Sequence, residues 1–133
     1  MAQEMRSPIE SGCPDGFQYM HPVMRKNYGQ WAYHEDPQPG VLVHVANSGE
    51  KIWTVRAGTQ RILDVYTLRE LCDIGDKYGD GYIHFTIRSN IEYQVADEAK
   101  VEPLIKALTD AGYIVGGTRN SVAMLSHTQG WLH

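Results

Sequence analysis

The sequence predicts an α+β domain: one antiparallel sheet with two helices on one of its faces, preceded by an irregular N-terminal arm. Three observations predict it. Short runs of strand length alternate apolar and polar residues and are separated by Asn and Gly turn signals. Two longer stretches repeat apolar residues at helical spacing. From Lys51 onward these segments follow in the order strand, helix, strand, strand, helix, strand.

Residues 1–40 read as the arm. Pro8, Gly12, Pro14 and Gly16 break any regular pattern in its first half, and residues 21–35 mix basic and aromatic side chains. Pro37, Pro39 and Gly40 then mark a turn. Val41, Val43 and Val45 alternate with Leu42 and His44 in a first strand, which Asn47-Ser48-Gly49 ends. In the next strand Ile52, Thr54 and Arg56 share one face, and Trp53 and Val55 the other. Thr67 and Glu70 have the spacing of a capping box, so a helix is expected to open at Thr67. Its buried face carries Leu68, Leu71, Cys72 and Gly75, and it ends near Gly79. A hairpin follows, Tyr82 to Arg88 and Ile91 to Val95, with Arg88, Ser89 and Asn90 at its junction. Asp97 caps a second helix in which Val101, Leu104, Ile105 and Leu108 form one stripe. Pro103 fits only in its first turn, so the regular helix is expected from about Lys100, with Gly112 just past its end. A last strand is read at SVAMLSH, residues 121–127. The order from Lys51 is the split βαβ, or ferredoxin-like, pattern, which hosts many unrelated activities.

Composition bounds the function. A chain of 133 residues with 42% hydrophobic and 21% charged residues is one ordinary globular domain. A net charge of −4 argues against a general nucleic-acid binder. No apolar run is long enough to cross a bilayer, and the N-terminus lacks the apolar core of a secretory signal. A cytoplasmic protein is therefore expected. Cys13 and Cys72 are far apart and have no CxxC partner, so they cannot hold zinc or an iron–sulfur cluster alone. Cys72 is expected in the core and Cys13 exposed, both as free thiols.

Three groups of residues are candidates for chemistry. Arg56, His84 and Arg88 stand on neighbouring strands, and the arginine forks match carboxylates and oxyanions. Two readings stand side by side for them: an anion site on the open face of the sheet, or cross-strand pairing with Glu92 or Asp64. His127, Thr128 and Gln129 form a polar strand end before Gly130. Gly116 and Gly117 with Thr118 and Arg119 have the parts of a phosphate-binding nest, but without a Walker or dinucleotide spacing they read as a turn. No serine triad, paired carboxylates or metal-ligand spacing fixes a reaction.

Several longer segments carry a resemblance. NYGQWAYHE, PGVLVHVANSGEKIWTVRAGTQR, LRELCDIGDKYGDGYIHFTIRSNIEYQVADEAKVEPL and SHTQGWLH are similar to the N-terminal part of dissimilatory sulfite reductase beta subunits, over about His21 to His133. YTLRELCDI and HTQGWLH are particular to that subunit. The RxxG and FTxRxN elements are shared with other sirohaem sulfite and nitrite reductases, within their ferredoxin-like half domain.

The resemblance implies a parent enzyme that interconverts sulfite and sulfide with six electrons, using sirohaem bridged to a 4Fe–4S cluster and working with an alpha subunit. It assigns cofactor contacts to Arg56 of TVRxG, to Arg88 and Asn90 of FTxRxN, and to His127, Thr128 and Gln129 of HTQGW. His84 stands where the family more often has an arginine. In the family the cluster cysteines and catalytic lysines lie beyond the position of His133, so residues 41–133 are read as a half domain that stops before the cluster-binding part. The isolated chain is then expected to carry no cofactor, no catalytic residue of its own and no sulfite reductase activity. It would need the alpha subunit and the rest of its own subunit, or would self-associate through its uncovered sheet face. The alternative is a stand-alone ferredoxin-like binding or regulatory module, without redox activity, that takes a small anion between Arg56 and Arg88.

Overall fold

A computed structural model of the chain describes residues 7–13, 15–60 and 62–116. Its centre is a five-stranded antiparallel sheet in the order β1-β2-β3-β5-β4, formed by β1 (Trp31–Gln38), β2 (Val41–Ala46), β3 (Lys51–Gly58), β4 (Tyr82–Phe85) and β5 (Asn90–Val95). Two short helices, α1 (Pro8–Ser11) and α2 (Pro22–Lys26), precede it, and α3 (Val65–Tyr78) and α4 (Val101–Asp110) pack on one face. The α+β, ferredoxin-like architecture is the one the order of segments predicted.

The core explains which face the helices take. Val41, Val55, Ala57, Ile91, Tyr93 and Val95 point from the sheet, and Leu71, Ile74, Val101, Leu104 and Leu108 point from the helices. The period of two in the strands meets the period of 3.6 in the helices, and each stripe covers the other. Gly75 lets α3 come close, because a Cβ there would lie 3.0 Å from the Tyr93 ring. The Tyr93 hydroxyl donates to the carbonyl of Leu71 (2.8 Å), so the one polar atom of this large buried ring is satisfied.

Helix ends show where local sequence spoke clearly. α4 closes in a Schellman motif: the N–H of Tyr113 donates to Leu108 and that of Gly112 to Thr109, with Gly112 at φ +93°. Pro103 sits in the first turn of α4, which starts at Val101 after a 3-10 turn capped by Asp97. The capping box at Thr67 is corrected. α3 begins at Val65 with Asp64 as its N-cap, and Thr67 is the residue whose N–H the Asp64 carboxylate accepts (2.7 Å). Aspartate is at least as good a cap as threonine, and capping three residues earlier frees Thr67 and Glu70 to join the helix.

Two further differences matter for the site. The stretch expected to be an irregular arm contains β1, an edge strand with register shifts between Trp31 and Tyr33 and between Glu35 and Gln38. Those irregularities broke the alternation, and Pro37 is tolerated because an edge strand has one unpaired side. Also, β4 ends at Phe85 rather than at Arg88. The Thr86 hydroxyl donates to Asn90 Oδ1 and accepts from the N–H of Arg88, which folds 86–89 into a loop with Ser89 at φ +58°.

The lane beside β3 is shared. β2 pairs with β3 from Lys51 to Val55, and Val115 bridges to Ala57, flanked by hydrogen bonds from Gly58 to Ile114 and from Gly116 to Arg56. The last strand read at residues 121–127, the HTQG segment and most of the glycine-pair turn lie outside the described residues. Cys13 is exposed and Cys72 half-buried, both free.

Candidate functional site

The face of the sheet away from α3 and α4 carries a row of polar side chains. Alternation puts Thr54 and Arg56 of β3, Asn90 and Glu92 of β5, and His84 of β4 on it. Arg56 and His84 stand directly opposite Glu92 on either side, across the β3–β5 and β5–β4 pairings. Glu92 is 6% exposed, and each of its oxygens has a partner: Arg56 Nε donates to Oε1, and His84 Nε2 bonds to Oε2. Burial alone would raise the Glu92 pKa. The hydrogen bond from His84 and the charge of Arg56 outweigh it and hold the carboxyl below its usual range.

The row continues on β2 and β1. His34 and His44 are opposed, with ring centroids 6.1 Å apart, and Trp31 lies at the same distance on the edge of His44. The His44 pKa is lowered, first by burial and then by the neighbouring His34; Glu92 pulls the other way and Arg56 again lowers it. At the near end, His21 accepts the N–H of Val23 at Nδ1 (3.2 Å) and contacts Asp80 through Nε2 (2.8 Å). An acceptor Nδ1 fixes the Nε2–H tautomer, so His21 is a neutral donor to Asp80 in this arrangement. Asp80 also takes Lys100 and the N–H of Ala96, and thus ties the N-terminal segment to β5 and α4.

Asn90 is 1% exposed. Its Oδ1 accepts from Thr86, but its Nδ2 has no hydrogen-bond partner. A buried donor left unpaired costs about 1–3 kcal/mol and calls for an explanation. Asn90 pairs with Gly58, which joins the face to a cleft of about 520 Å³ at the end of the sheet. Arg88, Ser89, Thr59, Asp64, Thr67 and Tyr113 are among its lining residues.

Of the residues singled out in the sequence, Arg56 and His84 are brought together, and Asn90 lies on the same face. Arg88 stands in the exposed loop and lines the cleft instead. The pairing of Arg56 with Glu92 is present. Sequence reasoning raised Glu92 only as a partner and missed its central place; the signal was its position two residues past Asn90, in phase with Arg56 and His84. His34 was missed with β1. Among the described residues no group of His, Cys, Asp and Glu has metal-site geometry, and no helix is long and apolar enough to cross a membrane.

The carboxylate of Glu92 has a signed consequence. Its folded pKa is depressed, so its contribution to stability is complete above the ordinary glutamate value of about 4.3 and is lost as pH falls through the lower folded value. Asp80, which burial would raise but Lys100 and His21 pull down, acts in the same direction. Melting temperatures followed by circular dichroism should fall below about pH 4.3, and Glu92→Gln should flatten that fall. An unchanged acid slope in the variant would mean that Glu92 is ionised no more readily in the folded chain than in the unfolded one.

This fold and face define a class. Residues 44–111 match the nitrite/sulfite reductase ferredoxin-like half domain, and the chain belongs to that family. It is similar to beta subunits of dissimilatory-type sulfite reductase. It is 50% identical to that of Archaeoglobus fulgidus over 86% of the chain and 33% of the relative, and 46% identical to that of Nitratidesulfovibrio vulgaris over 87% and 32%. It is 38% identical to that of Megalodesulfovibrio gigas over 99% of the chain and 53% of the relative. The chain spans about a third of the length of the first two.

Proposed function

We propose that this chain forms one wall of a sirohaem and sulfite site in a dissimilatory-type sulfite reductase beta subunit. The observation that carries the reading is the buried Asn90 Nδ2 without a partner, beside an arginine set on a buried carboxylate. An orphaned donor and a fixed cation on one face suit an oxyanion or a carboxylate-rich macrocycle. Sirohaem with its 4Fe–4S cluster would supply the six electrons that interconvert sulfite and sulfide.

In this reading Arg56 and Asn90 donate to negative oxygens from the sheet face, and Arg88 donates from the loop at the cleft. His127, Thr128 and Gln129 are assigned to the same wall by their motif. The enzyme would be cytoplasmic and would work with an alpha subunit and with segments of the beta subunit beyond those matched here. Residues 1–40 would serve as an arm, although β1 lies within them, and 41–133 as the half domain.

The test is Arg88→Ala in a full-length subunit carrying this segment. A charge-assisted hydrogen bond contributes about 1.5–3 kcal/mol, so sirohaem or sulfite should be retained roughly ten- to a hundredfold less well. Unchanged haem absorbance and unchanged turnover would remove Arg88 from the site. The polar open face, with Arg56 set on Glu92, also suits a second reading, a separate anion-binding module. Purified chain with a Soret band and a red sirohaem band would sink that second reading.

A further inference from the structure

We propose that Glu92 makes anion binding at the open sheet face proton-linked, with His84 as the group that takes up the proton. The inference rests on the reading of this face as an anion site and deepens it. Arg56 and Glu92 carry opposite charges and touch, so together they sum to zero. The third member, His84, decides the rest. With a neutral imidazole the trio has no net charge; with a protonated one it has a single positive charge. An anion approaching a neutral trio meets donors but no net attraction. Approaching a charged one, it gains attraction to a single net positive charge, softened by solvent at the half-exposed imidazole.

The surroundings single out His84 as the proton acceptor. Its side chain is half-exposed, so a proton can reach it, and the Glu92 carboxylate is already on its Nε2. From β5 it faces Glu92, with Arg56 of β3 on the far side of that carboxylate, while Arg88 of the following loop lines the cleft at the end of the sheet. His21 lies beyond on the Tyr82 ring (4.9 Å) and is held on Asp80. α3 packs behind β4, so the sheet stands between His84 and the Asp76 and Lys77 of that helix. Among the other imidazoles of the row, His44 is half-buried beside His34, and burial first, then His34, holds its pKa below the usual histidine value. By linkage, if the proton favours the anion, the anion favours the proton equally. A reaction that removes oxygen from an oxyanion as water consumes protons, and this arrangement would bring one in with each anion bound.

The experiment uses the whole 133-residue chain and sulfate, an oxyanion that does not itself titrate near neutral pH. Binding is read from NMR shifts of the Arg56 Nε–H and of the Gly58 and Asn90 amides, while His84 is titrated in the same spectra. Above the His84 midpoint, sulfate affinity should fall by up to tenfold per pH unit, one proton per anion. His84→Gln should bind with the weak, high-pH affinity at every pH. Glu92→Gln, which removes the negative charge of the carboxylate from the trio, should bind several-fold tighter than wild type at the alkaline end. A slope that survives in His84→Gln, or a Glu92→Gln affinity no higher than wild type, overturns the proposal. The half-exposed His84 position keeps the test available if Glu92→Gln does not fold. Sulfate binding that ignores pH in the wild type also overturns the linkage, while leaving the face as an anion site. No shift at any pH removes the anion-site reading itself.

Discussion

Gly40→Ala is expected to destabilise the chain by about 2–5 kcal/mol, measured as a loss of unfolding free energy in urea. Two costs meet at this residue. Its φ of +83° is left-handed, which an L side chain adopts at a cost of about 1–2 kcal/mol. A Cβ there would also lie 2.6 Å from Val115 Cγ1 and 2.7 Å from the backbone nitrogen of Gly116. The second contact is with backbone, so no rotamer change relieves it. Gly40 has this environment because it stands where β2 and the 114–116 segment meet in the lane beside β3. Its carbonyl accepts the N–H of Arg56 (2.8 Å), and the Arg56 carbonyl accepts from Gly116 (3.1 Å). Disturbing Gly40 therefore moves the backbone that aims Arg56. Gly49→Ala is the control: its φ is +87°, but a Cβ there would touch nothing within 4 Å. If Gly40→Ala costs no more than Gly49→Ala, the close packing at the shared lane is refuted.

The sequence could not reveal that junction, because it depends on two segments 75 residues apart competing for one edge. Alternation says that Val41, Val43 and Val45 share a face; it does not say which strand they lie beside. The parts with local causes were legible. The α4 stripe, Pro103 in its first turn and Gly112 past its end were all read from spacing and appear where expected. β1 was not read, since an edge strand with two register shifts has no period to detect. The start of α3 was misread because two cap signals, Asp64 and Thr67, lie three residues apart, and only packing chooses between them.

The site was half legible for the same reason. Arg56, His84 and Asn90 were on the page as polar positions of alternating strands. Their common partner was not, because Glu92 looks like any glutamate on a solvated face until the β3–β5 and β5–β4 registers put it between Arg56 and His84. Arg88 was read as part of β4, and a side-chain hydrogen bond from the Thr86 hydroxyl instead lifts it into the loop. A resemblance to a family supplied functional roles that periodicity cannot, but it gave no register.

Glu92→Leu should cost roughly 3 kcal/mol, the lower end of the loss from breaking a buried ion pair. The loss comes less from the missing attraction than from what is left behind: a cationic Arg56, 24% exposed, whose Nε has lost its acceptor. That partial exposure lets water soften the penalty and sets the figure low in the range. The double variant Arg56→Met/Glu92→Leu should recover most of it and lie within about 1 kcal/mol of wild type, because a well-packed apolar pair replaces a desolvated charged one at little net cost. A thermodynamic cycle over wild type, both single variants and the double, from urea midpoints, measures the coupling. If the double variant is as unstable as Glu92→Leu alone, the carboxylate is needed for the fold itself. If it recovers, an apolar pair would serve the fold as well, and the charged trio is carried for what the open face binds. The same double variant should then fold while the sulfate shifts at Gly58 and Asn90 weaken for want of the Arg56 donor, which separates the two roles of that pair in a single protein.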